Sequence, residues 1–311
     1  MTAPRTEPLP GTRFLDPAVL ARIASLELVA RVVVEGFLTG LHRSPHLGMS
    51  VDFAEHRPYM PGDDTRRIDW RLWARTDRYY VKEFEADTNA NVVLILDVSK
   101  SMSFSGDPRA KPGNVSKLDY ARMLVACLAQ FSRQQRDRVG LVTFDDEIRE
   151  VVPASARHLP LVLHALERAQ AGRQGDLVGP LRRIGDTVRR RSIVVLVSDL
   201  YEEPERVIDA VTLLRGKGND VIVFHVLDPV ELEFPFDEAA TFEDLESGEH
   251  LPVIPGDLRE KYQALIQGHV AELRRRLVEQ GVEYTLLDTG VPLDRALFAY
   301  LADRHRLARV R

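Results

Sequence analysis

Cysteine is almost absent from this chain. The single Cys127 in 311 residues excludes an internal disulfide framework and any cluster of thiolate metal ligands. Leu124, Val125 and Leu128 surround it at helical spacing, so the thiol reads as a small buried hydrophobe. Long apolar runs are also missing. No stretch reaches the ~18–20 residues that a membrane-spanning helix needs, and Met1–Thr12 lacks the apolar core of a secretory signal. A cytoplasmic protein is expected. Lysine is scarce: six of the 42 basic residues are lysine and the rest are arginine, a bias that base composition can explain. Neither sign of charge dominates, with 47 acidic side chains and a net charge of −5, so a dedicated nucleic-acid or anionic-membrane binder is not expected. Two catalytic signatures are lacking as well. Gly106–Gly113 is interrupted by proline and runs into Asn114-Val115-Ser116 rather than Lys-Ser/Thr, so it is not a phosphate loop, and no Gly-x-Ser-x-Gly elbow occurs.

What is present suits a globular protein with a sizeable core: 44% of residues are apolar and 29% charged. From Val92 onward, strands and helices alternate. Val92–Asp97, Arg138–Phe144, Ser192–Ser198, Asp220–Leu227 and Val282–Asp288 read as strands, most of them of the buried parallel type. Helical stretches lie near Lys117–Gln135, Pro160–Ala171, Val178–Arg190, Pro204–Arg215, Asp257–Gln280 and Leu293–Arg306. Ser116 to Asp119 forms a capping signal for the first of these. Thr143–Glu147 turns into Ile148–Val152, a short antiparallel edge strand. The pattern predicts an α/β fold with a doubly wound, mostly parallel sheet. Asp228–Pro255 is acidic, and Ser247-Gly248-Glu249 between apolar flanks suggests an inserted hairpin. Residues 1–90 differ in texture: a helix over Pro17–Leu38, then a charged and aromatic stretch. They read as a companion module to a sheet domain at 91–311.

Two strands end in acid-plus-hydroxyl sequences, Asp97-Val98-Ser99-Lys100-Ser101 and Ser198-Asp199. In an open doubly wound sheet, ligands bind beyond the carboxyl ends of strands. Asp97, Ser99 and Ser101 alternate, so on an extended turn their oxygens converge. Together with Asp199 they make a hard-oxygen set suited to Mg²⁺ or Mn²⁺. The competing account is a metal-free turn in which the serines satisfy the backbone and Asp97 caps the next helix.

These residues resemble the metal-ion-dependent adhesion site of von Willebrand factor type A domains. The resemblance implies a six-stranded, mostly parallel sheet with one antiparallel edge, and direct coordination by the serine hydroxyls. It also implies a threonine ligand from the loop Arg173–Val178, where this chain has Gly175 beside Asp176. A second stretch is more specific. Gly48–Asp64 continues through Arg66-Arg67-Ile68-Asp69-Trp70 to Arg75 and Tyr80–Phe84, and resembles the bacterial domain of unknown function 58 family. That similarity extends through Glu231–Pro235 to Leu293–Arg304. Read from the residues, Asp63, Asp64 and Asp69 alternate with Arg57, Arg66, Arg67, Arg71 and Arg75 among Tyr59, Trp70 and Trp73. Such a set can hold an irregular segment rigid or bind a protein. A catalytic pairing of His56 with Asp63 has no nearby nucleophile.

The family resemblance implies a non-enzymatic adaptor or co-chaperone that works with a MoxR-type AAA+ ATPase on a client complex, with Ser103–Ser116 as a recognition rim. The alternatives are a metal-free scaffold and a Mg²⁺-dependent phosphoryl-transfer enzyme with Asp97 as nucleophile. The latter needs a second Asp at position 99, where Ser99 stands, and a lysine-bearing strand end, which the sequence does not offer.

Overall fold

The computed structural model describes residues 17–21, 23, 25–43, 56–60, 70–82, 90–106, 115–245, 248–294, 296–297 and 300. Packing divides the chain into two compact units, Met1–Val34 with Ala90–Arg311, and Glu35–Asn89. This differs from a 1–90 and 91–311 partition at its first boundary, which falls inside a helix. Where one helix over Pro17–Leu38 is expected there are two, α1 (Pro17–Leu20) and α2 (Leu26–Arg43). The break has a local cause: the Ser25 hydroxyl accepts the Leu28 N–H at 3.3 Å and so begins a new helix.

In the smaller unit, β1 (His56–Pro58) pairs antiparallel with β2 (Tyr80–Lys82), and α3 (Trp70–Thr76) lies between them in sequence. The aromatic rings gather: Trp73 stacks on Tyr79 at 6.0 Å, and Trp70 meets Trp73 edge-on at 6.1 Å. Asp63, Asp64, Arg66, Arg67 and Asp69 lie outside the described residues, and with them the expected Arg–carboxylate pairs and the His56–Asp63 pairing.

The larger unit runs β3 (Asn91–Asp97), α4 (Lys117–Gln134), β4 (Arg138–Phe144), β5 (Ile148–Ser155), α5 (Leu159–Arg168), α6 (Val178–Thr187), β6 (Ile193–Ser198), α7 (Pro204–Arg215) and β7 (Asp220–Leu227). It continues through α8 (Pro229–Glu233), β8 (Ala240–Glu243), β9 (His250–Val253), α9 (Pro255–Glu279) and β10 (Glu283–Asp288). One six-stranded sheet has the order β10-β7-β6-β3-β4-β5, parallel throughout except for the antiparallel edge β5. This is the predicted doubly wound architecture, and the inserted hairpin is present as β8–β9, with Ser247 outside the described residues. Of the expected helix Leu293–Arg306, residues 294, 296, 297 and 300 are helical and those from 301 on lie outside the described residues.

The sheet forms because β3 and β6 are runs of Val, Ile and Leu buried on both faces, which suits central parallel strands. Alternate side chains then serve the two layers. Ile95, Val194, Leu196 and Val223 join Leu181, Val211 and Leu273 of α6, α7 and α9 in one core cluster. α4 packs against β3 and β4, and its Cys127 is buried, which raises the thiol pKa above its ordinary value. Each fully buried Val, Leu or Ile contributes roughly 1.5–3 kcal/mol. Gly140 marks the irregular β4–β5 pairing: a Cβ there would press on the Val152 and Ala154 backbone at 2.7 Å. Among the described residues no helix is long and apolar enough to cross a membrane.

Candidate metal crevice at the strand ends

The chain leaves β3 toward β4 on one side and returns through β6 on the other, so the strand order reverses between β3 and β6. A crevice beyond the carboxyl ends of these two strands is the expected ligand position. Leu96 pairs with Val197, which sets Asp97 beside Ser198 at that point.

Asp97 is 5% exposed. Its Oδ1 accepts the Ser99 N–H at 2.8 Å and its Oδ2 accepts the Ser198 hydroxyl at 2.6 Å. Burial, with the nearby Asp199 charge, raises its pKa to about 7 against these hydrogen bonds. Ser99 is extended, and a 3₁₀ turn over Lys100–Ser103 comes after it, bringing the Ser99 and Ser101 hydroxyls to 3.1 Å of each other. Asp97, Ser99 and Ser101 therefore line one cavity of about 30 Å³, whose other walls include Gly175, Asp176, Ser198, Asp199 and Glu202. That is room for a small ion with about one or two waters.

The loop that brings Gly175 to this cavity is held from two sides. The Gly172 N–H donates to Val98 O at 2.7 Å and the Lys100 N–H to Arg173 O at 2.9 Å, tying the loop to the β3 turn. From beyond β4, the buried Asp145 carboxylate accepts the Arg173 N–H at 3.1 Å and Arg149 Nε at 2.6 Å. Burial pushes the Asp145 pKa up, but the Arg149 hydrogen bond and its companions outweigh this and hold it low. A Cβ at position 172 would collide with that carboxylate, so glycine is required there.

Four sequence-selected residues, Asp97, Ser99, Ser101 and Asp199, thus meet at one cavity, but they are not equivalent. Asp199 Oδ2 accepts the Lys117 ammonium at 2.8 Å, and the same ammonium reaches Glu231 Oε1 at 2.7 Å. Asp176 caps α6 with its carboxylate, accepting the Val178 and Gly179 N–H groups at 3.3 and 3.2 Å, and so faces its own helix. Among the described residues no three His, Cys, Asp or Glu side chains converge as a metal group. A cation here would rest on the Asp97 carboxylate and the two serine hydroxyls, a partial shell that suits an ion retaining its waters.

Sequence reasoning missed Lys117, Glu231, Asp145 and Glu202, whose Oε1 accepts the Leu177 N–H at 3.0 Å. For Lys117 a signal existed. It is a rare lysine in the first turn of a helix, where the macrodipole disfavours a cation.

The family model described as "Protein of unknown function DUF58" matches residues 55–272. The uncharacterized protein Rv1480 of Mycobacterium tuberculosis is 27% identical over 303 residues, covering 94% of this chain and 91% of that protein. Among solved structures, the conserved hypothetical protein BatB from Bacteroides thetaiotaomicron is 18% identical with a TM-score of 0.48, covering 71% of this chain and 99% of its own. The VWA domain of SpRpn10 is 11% identical with a TM-score of 0.38, covering 67% of this chain and 93% of that one. The sheet order and single antiparallel edge are those of a von Willebrand factor type A-like fold. With the family match spanning most of its length, this chain belongs to the DUF58 family of proteins of unknown function.

Proposed function

We propose that this protein is a non-enzymatic interaction module that docks a partner protein at the strand-end crevice. In this reading the crevice carries Mg²⁺ or Mn²⁺ on Asp97, Ser99 and Ser101, and the protein is a cytoplasmic adaptor or co-chaperone for a MoxR-type AAA+ ATPase acting on a client complex. One observation carries the reading. At the point where the strand order reverses, a buried carboxylate that among the described residues is compensated by neutral donors alone shares a small cavity with two serine hydroxyls. Such a carboxylate favours a cation, and a bound divalent ion would supply a positive centre for an acidic group of the partner. The ATPase partnership rests on the family resemblance.

The metal-free scaffold has its own support, since Gly175 brings no side-chain oxygen and Lys117 already neutralises Asp199. The phosphoryl-transfer alternative gains a lysine near the strand end. However, Lys117 is buried on two carboxylates and does not line the cavity, and position 99 is a serine.

Thermal unfolding with and without millimolar Mg²⁺ or Mn²⁺, and a pull-down against a MoxR-type ATPase, test the reading. The metal is expected to raise the melting temperature of the wild type and not of Asp97→Ala. The ATPase is expected to be retained by the wild type and lost with Ser99→Ala/Ser101→Ala. An unchanged melting curve together with equal recovery of the ATPase would favour the metal-free scaffold.

A further inference from the structure

The two strand-end acids of the crevice, Asp97 and Asp199, differ in one decisive respect: Asp199 already has a cation. Lys117 reaches it from the first turn of α4 with a fully buried side chain. The ammonium has three protons to place. One goes to Asp199 Oδ2 at 2.8 Å and one to Glu231 Oε1 at 2.7 Å, while the Tyr201 ring lies 4.6 Å away. Glu231 is not free to swing aside, because its other oxygen accepts the Asp228 N–H at 2.8 Å and closes the capping box of α8. The ammonium is therefore clamped between a strand end and the base of the insertion.

We propose that Lys117 is the specificity-determining residue of the crevice: Arg206 holds Glu202 and the α6 N–H groups hold Asp176, so by holding Asp199 as well Lys117 leaves Asp97 as the cavity carboxylate with neither a cation nor a helix end on it, and so keeps divalent-cation affinity low. The inference rests on reading the crevice as a cation site and names the residue that tunes it. Affinity of an oxygen site for a hard cation tracks the number of anionic ligands it offers. Lys117 withdraws Asp199 from that number and places a fixed positive charge beside the cavity. A residue that only stabilises the fold would not influence the ion in this direction.

The test is Mn²⁺ titration of the full chain by calorimetry and by electron paramagnetic resonance. Lys117→Met is expected to bind Mn²⁺ at least about tenfold more tightly than the wild type, because a second carboxylate joins the site. Adding Asp199→Asn to Lys117→Met should erase that gain. In the wild-type background Asp199→Asn should leave affinity within about threefold, whereas Asp97→Asn abolishes binding. Should Lys117→Met fail to fold, Lys117→Met/Glu231→Gln removes one charge of each sign and makes the same comparison. Asp199→Asn alone, which leaves Lys117 on Glu231, also decides the point. A large loss of Mn²⁺ affinity in Asp199→Asn, or no gain in either Lys117 variant, overturns the proposal. Binding by the Lys117 variant but not by the wild type would uphold Lys117 as the resident cation while overturning the metal-dependent function. Wild-type binding that Lys117→Met leaves unchanged would do the reverse.

Discussion

The ends of β3 and β6 are close to a controlled experiment. Both strands are buried runs of Val, Ile and Leu, neighbours in the sheet, and an acid stands at the end of each, Asp97 closing β3 two residues before Ser99 and Asp199 just after Ser198 of β6. At the β3 end the acid is compensated by neutral donors, the Ser99 N–H and the Ser198 hydroxyl, and Asp97 is pushed toward protonation. At the β6 end the acid is compensated by an ammonium. Burial works against the charge on Lys117, yet Asp199 and Glu231 hold its pKa above the ordinary lysine value. Identical chemistry at the end of a strand therefore becomes an unmet demand for positive charge in one case and a closed ion pair in the other. The difference lies in whether a helix delivers a cation, and it leaves the first site open to a ligand and makes the second a structural clamp.

Breaking the clamp should have the largest effect. Lys117→Ala strands two buried carboxylates, and loss of about 3–5 kcal/mol is expected from urea denaturation, as for other broken buried ion pairs. Asp97→Asn, at the open end, should cost far less and at pH 8 should stabilise.

The second effect is the pH dependence of the open end. With a folded pKa of about 7 against an unfolded value near 3.8, native Asp97 keeps a proton that the unfolded chain has released. Stability from this residue is present below about pH 4 and is lost as pH rises toward 7, on the order of 2–4 kcal/mol in all. Urea midpoints measured across that range should show this component in the wild type and not in Asp97→Asn. If the two profiles coincide, Asp97 is compensated better than its neutral donors allow.

The smallest effect sharpens the comparison within the open end. Ser99 and Ser101 share one hydrogen bond at 3.1 Å, so Ser99→Ala or Ser101→Ala should each cost about 1 kcal/mol by calorimetry without added metal. A much larger cost would make the serines structural rather than ligand-facing.

Legibility tracked the range of the interactions. Arg138–Phe144, Pro204–Arg215 and Asp220–Leu227 have the bounds read from apolar runs, a proline at the helix start and flanking polar residues, all local signals. The Pro17–Leu38 helix failed for a local reason too, since Ser25 interrupts a periodicity that otherwise continues. Asp97, Ser99 and Ser101 could be grouped because they lie within one turn of chain. Lys117 could not, because its partners stand 82 and 114 residues away. Nor could the dependence of Gly172 on Asp145, a contact made only when the loop folds back over β4.

The sequence by itself determined the sheet, its helical layers, its antiparallel edge and the convergence of Asp97, Ser99 and Ser101. Periodicity, β-branched runs and capping residues act over a few residues and need no distant partner. Only the tertiary structure decided which of the two strand-end acids stays open. That choice depends on the first turn of α4 and the start of α8 meeting at the end of β6, and the energy of a buried charge is set by whatever lies within a few ångströms of it, however far away in the chain.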